Sequence, residues 1–300
     1  MTAVLATGGR VLTPASRDAT ALAHENGVVV WAGSDAPGPT LFPDAHRVDL
    51  DGDWVAPAFV EVLAGGGVSS GSAASRGVVV DPLPPAHGPD EVGDRVRAGE
   101  RVVVWDADPA EVAAELSGLA TELGGPAVAR CTPVLVGAAV GHAGEDTLAA
   151  LAAVGAVVVL RPLVDDPAGT DLVRIAASGV AVAASLHDGA DLRPWAALRA
   201  LTSVHDGRGL SPRAAFTAAT RGARRAAGAR DGSAGTLTPG AAATYGRWRT
   251  GELAVVAADD AVQRWSTDPR SGVPPMPDLA GPDPVLQGLV VDGRPAGSAQ

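Results

Sequence analysis

The chain has 300 residues, enough for one large domain or two of ordinary size, and 46% of them are hydrophobic, which excludes global disorder. A net charge of -11 repels phosphate backbones, and basic residues cluster only in four arginines between 221 and 230, read as a solvated helix end, so nucleic acid is not expected as a partner. The single cysteine, Cys131, rules out an intrachain disulfide or a cysteine-based zinc site and reads as a small buried residue. There is neither a signal-peptide pattern nor an apolar run of the roughly 20 residues a membrane helix needs, so a cytoplasmic protein away from the membrane is expected.

The first 55 residues read as short strands and turns. Val11-Leu12 leads into Thr13-Pro14, residues 27–33 form a strand bounded by glycines, and Asp51-Gly52-Asp53 supplies a turn before Trp54-Val55. From about residue 100 strands alternate with helices. Strands are expected at 101–105, 134–136, 156–160 and 180–184, with two more near Phe59 and Val78. Helices are expected from an Asp108 N-cap to the Gly124-Gly125-Pro126 stop, then at 146–154, 170–178 and 195–204, and from Ser211-Pro212 to about 227. That alternation predicts a parallel sheet covered by helices. The β texture returns with a strand and turn at 235–240 and strands at 253–257 and 289–291, while 268–284 carries six prolines and reads as irregular. Both ends are β-rich around a β/α middle, so the ends are expected to form one domain interrupted by the other.

The words match a family as well as the order does. Gly9-Arg10-Val11-Leu12-Thr13-Pro14, Val30-Trp31-Ala32-Gly33 and Trp54-Val55-Ala56-Pro57-Ala58-Phe59-Val60 resemble the opening of the amidohydrolase superfamily and its lead into the first barrel strand. Leu210-Ser211-Pro212-Arg213-Ala214-Ala215-Phe216 resembles the family's last barrel helix, and Gly235-Thr236-Leu237-Thr238-Pro239-Gly240 its return into the β domain. Trp265-Ser266-Thr267-Asp268-Pro269-Arg270 resembles the tail of the amidohydrolase-3 branch, the deformylase-like and imidazolonepropionase-like group. The resemblance implies an α/β fold: an incomplete or compact TIM-like (β/α) barrel over 57–234, plus a small discontinuous β-sandwich, the composite domain, from 1–56 and 235–300. The barrel segment has 178 positions, against about 200 for the smallest full (β/α)₈ barrels. An open barrel would leave strand edges exposed to a partner chain.

Members of this family hydrolyse non-peptide C–N bonds with zinc or another divalent metal, whose bound water loses its proton near neutral pH. The matching ligand positions here carry no such donors. The His-x-His pair falls on Leu63 and Gly65, a later histidine on Val104, a Glu-His pair on Gly137 and Ala138, and the catalytic aspartate on Leu186 or His187. Weak substitutes follow strand ends: His142, His187, Asp188 and Asp106, with Asp108 beside them; N-caps and loop polars are the favoured reading for these. Glu61 is read as a capping or exposed loop carboxylate, and His24, His46, His87 and His205 as surface residues of helix ends and loops. The Gly-, Ser- and Ala-rich stretch 65–77 reads as a loop over the barrel mouth.

The expectation is therefore an amidohydrolase-like pseudoenzyme, with no cofactor, that binds a small molecule at the old barrel mouth or a partner in a homo- or hetero-oligomer. Two alternatives stand beside it. One is a residual mononuclear metal hydrolase using His142, His187 and Asp188; the other is a structural partner subunit of an active paralogue.

Overall fold

The computed structural model describes residues 3–63, 70–165, 170–204, 207–251, 253–254 and 275–296. Six short strands open the chain: β1 (Val4–Thr7), β2 (Arg10–Val11), β3 (Ala21–Glu25), β4 (Val28–Gly33), β5 (His46–Asp49) and β6 (Trp54–Pro57). β7 (Phe59–Glu61) and β8 (Val78–Val80) pair with each other, and four single strands follow: β9 (Val103–Trp105), β10 (Val134–Val136), β11 (Val157–Leu160) and β12 (Ala181–Ala184). The chain closes with β13 (Tyr245–Arg249), β14 (Leu253–Ala254), β15 (Met276–Pro277), β16 (Val285–Val291) and β17 (Arg294–Ala296). Among the described residues ten α-helical segments are interleaved: α1 (Gly38–Leu41), α2 (Ser70–Ala74), α3 (Val92–Arg97), α4 (Pro109–Leu123), α5 (Gly125–Arg130), α6 (Glu145–Ala153), α7 (Leu172–Ala177), α8 (Pro194–Thr202), α9 (Pro212–Thr217) and α10 (Ala223–Ala226). No helix among the described residues is long and apolar enough to cross a membrane.

These elements form two compact units. The first gathers Met1–Phe59, Val68–Val79 and Asp231–Gln300. Its sheets run β4-β3-β1-β5 and β17-β16-β13-β6-β2, and Leu22, Val29, Leu50, Val55, Leu237 and Tyr245 make its main core. β6 is antiparallel to β13, so Val55 lies opposite Arg247 across about two thirds of the sequence. At that junction the fully buried carboxylate of Asp53 accepts from Arg247 and Arg249, both at 2.9 Å. His24 also lies here, buried in β3, with Nε2 3.3 Å from the Tyr245 hydroxyl. The expectation of a surface histidine in a loop fails because both faces of β3 are covered. The strand expected at 235–240 is a run of turns instead. Thr236 bonds back to the Ser233 carbonyl through both its amide and its hydroxyl, and Gly235 and Gly240 sit at positive φ, so local bonds displace a sheet ladder.

The second unit, Val60–Gly67 with Val80–Arg230, holds the parallel sheet β9-β10-β11-β12. All four strands fall where the apolar runs place them. α4 begins as the sequence dictates, with Asp108 accepting from Ala110 N at 2.8 Å and Pro109 in the first turn. It buries Val112, Leu116 and Leu119, each contributing roughly 1.5–3 kcal/mol if fully removed from water. The Gly-Gly-Pro stop is also a start: Gly124 turns at φ 89° and Pro126 lies in the first turn of α5.

In the sheet's parallel register, Val103, Val134 and Val157 form one row and Val136, Val159 and Ala183 the next. This face packs with Val60 and Val62 from β7 and with Ala223 and Ala226 from the last helix. That helix runs from α9 through a π-helical turn (Ala218–Gly222) into α10, and Gly222 lies against the β12 backbone, where a Cβ would overlap the Val182 carbonyl oxygen. Among the described residues the strands do not close into a barrel. β12 ends the sheet, and small residues let the last helix approach its backbone this closely.

Candidate active face at the strand ends

The C-terminal ends of β9–β12 point the same way, and β7 delivers Glu61 to the same end. Glu61 is fully buried. Its carboxylate accepts from Leu63 N and Leu186 N, both at 2.6 Å, and from the Ser185 hydroxyl at 3.1 and 3.2 Å. One carboxylate thus ties the chain after β7 to the chain after β12. Burial pushes its pKa above the usual carboxylate range, opposed by the two backbone N–H groups and the Ser185 hydroxyl. The reading of Glu61 as a cap or exposed loop residue is corrected. It stands inside the apolar run 54–63, and a lone carboxylate in such a run is the signal that it would be buried and hydrogen-bonded.

The positions matched to metal ligands hold structure instead. Leu63 and Leu186 give their amides to Glu61, and Val104 is buried in β9. Gly137, at φ 130°, leaves room for the Asp106 carboxylate, which a Cβ would strike, and Ala138 is exposed beside it. Gly65 and His205 lie outside the described residues, as does the Trp265–Arg270 motif; of the stretch 65–77, residues Ser70–Ala74 are helical.

The weak substitutes are engaged or apart. His187 is half-buried and its Nδ1 accepts from Gly189 N at 3.0 Å, which places the ring proton on Nε2. Asp188 caps its own turn through Ala190 N and Asp191 N at 3.0 and 2.8 Å, and those backbone donors hold its pKa below the ordinary aspartate value. Asp106, at φ 49°, is bound 2.8 Å from Arg161, and His142 is exposed at the end of the turn Ala138–His142. Among the described residues no three His, Cys, Asp or Glu side chains converge as a metal site. Asp108 is the N-cap of α4. Cys131 is buried, its thiol pushed up in pKa by that burial.

One charged group was not singled out in the sequence. Arg161 follows β11, donates to both oxygens of Asp165 at 3.0 and 2.8 Å, and lies 5.9 Å from the ring centroid of Trp105. Arg161 and Asp165 stand at i and i+4, a spacing that marks a local ion pair only where the backbone turns there.

No protein-family model matches the sequence, and no curated protein does. Solved structures do match. An amidohydrolase from Thermotoga maritima shares 14% identity and a TM-score of 0.64, over 98% of this chain and 99% of that one. The atrazine chlorohydrolase of Arthrobacter aurescens, solved with zinc, shares 13% and 0.59, over 97% and 94%. A prolidase complexed with N-methylphosphonate-L-proline shares 14% and 0.59, over 98% and 99%.

Proposed function

We propose that this chain, which has the amidohydrolase fold, is a non-hydrolytic member of that superfamily that binds a small molecule at its strand-end face. The carrying observation is Glu61: a carboxylate at the end of β7 is spent on two backbone amides and a hydroxyl, holding the two ends of the sheet layer together. Metal-water hydrolysis needs carboxylate and imidazole lone pairs that are free to coordinate. The positions resembling the family's ligands offer leucine, valine, glycine and alanine, and the Nδ1 lone pair of His187 is occupied. The described residues do not fit a divalent metal. The reading extends to a composite β domain made from both chain ends and to a cytoplasmic protein, consistent with one buried, unpaired cysteine.

The test is metal content by plasma mass spectrometry, on protein expressed with zinc supplied and purified without chelators. Trace metal is expected. Near-stoichiometric metal, lost on His187→Ala together with amide hydrolysis, would overturn the proposal and establish a mononuclear hydrolase.

A further inference from the structure

The chain has 34 acidic residues against 23 basic ones, yet residues 207–230 hold six arginines and no aspartate or glutamate. Four of the six lie on the last helix, α9 through α10. Between residues 213 and 226 the exposed positions are Arg213, Thr217, Arg221 and Arg225, every fourth residue, and those between them are buried or half-buried. In a regular α-helix each step of four drifts about 40° round the axis, so a row of this length would wrap to one side. The π-helical turn Ala218–Gly222 fits more residues into a turn and takes up part of that drift, which keeps the four positions in one stripe. The guanidinium groups of Arg213, Arg221 and Arg225 have no hydrogen bond or ion pair among the described residues, whereas the half-buried Arg224 pairs with Asp81 at 2.8 Å.

The helix exposes no large apolar or aromatic side chain, so it offers nothing to insert into lipid and nothing for bases to stack on. Carboxylates held at matching intervals suit it better, and α4 of the same unit carries them. Glu111, Glu115, Gly118 and Glu122 are all exposed, and steps of four, three and four put them on one face. Glu111 and Glu115 have no ion pair among the described residues, and Glu122 accepts from Arg97 of its own chain at 2.9 Å. Laid antiparallel, the two rows fall in register, with Arg225 on Glu111, Arg221 on Glu115, Thr217 on Gly118 and Arg213 on Glu122. At 1.5 Å per residue the rows measure about 18 and about 17 Å. Laid parallel, only two of the arginines would meet a glutamate. A Cβ on Gly118 would meet nothing within 4 Å, so the middle of the row is open to an approaching helix.

We propose that the arginine stripe of the last helix docks on α4 of a second copy of this chain. Each side brings a different patch, a heterologous contact that can repeat from copy to copy. Guanidinium–carboxylate pairs fix the register, but exposed pairs are weak singly, so the assembly depends on concentration. The proposal does not depend on whether the strand-end face hydrolyses anything.

Sedimentation equilibrium of the full chain at about 0.1–1 mM protein tests it, a range suited to a contact made of a few exposed pairs. In about 0.1 M salt a Debye length of about 10 Å damps the repulsion between copies of net charge -11, while pairs in contact persist. The average mass is expected to climb above that of one chain as concentration rises, and to fall back in about 1 M salt. Arg221→Glu and Glu115→Arg should each weaken association about tenfold or more, because each sets like charges against one another. Mixing these two variants, each with the far-UV circular dichroism of wild type, should restore association as the reversed charges meet. A wild type that stays at the mass of one chain, variants that associate as wild type does, or a mixture that remains monomeric would each overturn the proposal. A monomeric wild type that binds heparin through Arg221 would overturn it too, and would give the stripe to a polyanion.

Discussion

Glu61 carries the most chemistry per atom in this molecule. Its two oxygens meet two amides and a hydroxyl, and a glutamine in its place keeps one acceptor while turning an NH₂ toward Leu63 N or Leu186 N. Leaving one such buried donor unsatisfied costs about 1–3 kcal/mol. Glu61→Gln is therefore expected to lower the unfolding free energy by that amount, read as a fall in the urea midpoint at unchanged slope; a midpoint within error of wild type would show that the latch bears no weight. The sequence showed the residue and its place after the Pro-x-Phe motif but not its role. Carboxylates are mostly exposed, and the donors to this one are an amide and a hydroxyl more than 120 residues away in sequence as well as an amide of its own neighbourhood. His24 was hidden for the related reason that a short strand buried on both faces has no alternation to reveal it. Arg161 was hidden because its meaning lies in Asp106, 55 residues earlier.

Local signals decided which elements were legible. Strands β9 to β12 are apolar runs between glycine and proline breaks, and α4 has its aspartate cap and proline, so both were readable from neighbouring residues alone. α5 and the 235–240 turns were not, because Gly-Pro and Thr-x-Thr patterns serve restarting helices and turns as readily as stops and strands. The placement of the last helix could not be read at all. Its sequence resembles a family's outer helix, yet Gly222, Ala223 and Ala226 set it against the β12 backbone and the valine face. Gly222→Ala tests this contact. The added methyl overlaps the Val182 carbonyl and cannot be relieved by a side-chain rotation, so a loss of about 3 kcal/mol or more is expected. A variant with wild-type melting would place the helix elsewhere.

The two units respond to acid with opposite sign. Burial lowers the pKa of His24 from 6.5, so in the first unit its stabilising contribution is whole above pH 6.5 and is lost as pH falls toward the depressed value. Burial raises that of Glu61 from 4.5, so its contribution in the second unit is whole below pH 4.5 and is lost as pH rises through the raised value. Calorimetric melting between pH 7.5 and 4.5 should therefore show wild type losing ground to His24→Phe and gaining on Glu61→Gln as pH falls. Parallel curves for either variant would remove that residue from the acid response. The pairing of β6 with β13 has a kinetic meaning of its own. Val55 must wait for Arg247, so while the chain is being made the early strands leave the ribosome with half of their sheet still unwritten. The β/α segment between them makes a compact unit of its own, which can gather first and draw the two ends near. By shortening the loop that must close, it acts as a scaffold for the assembly of the sheet that brackets it.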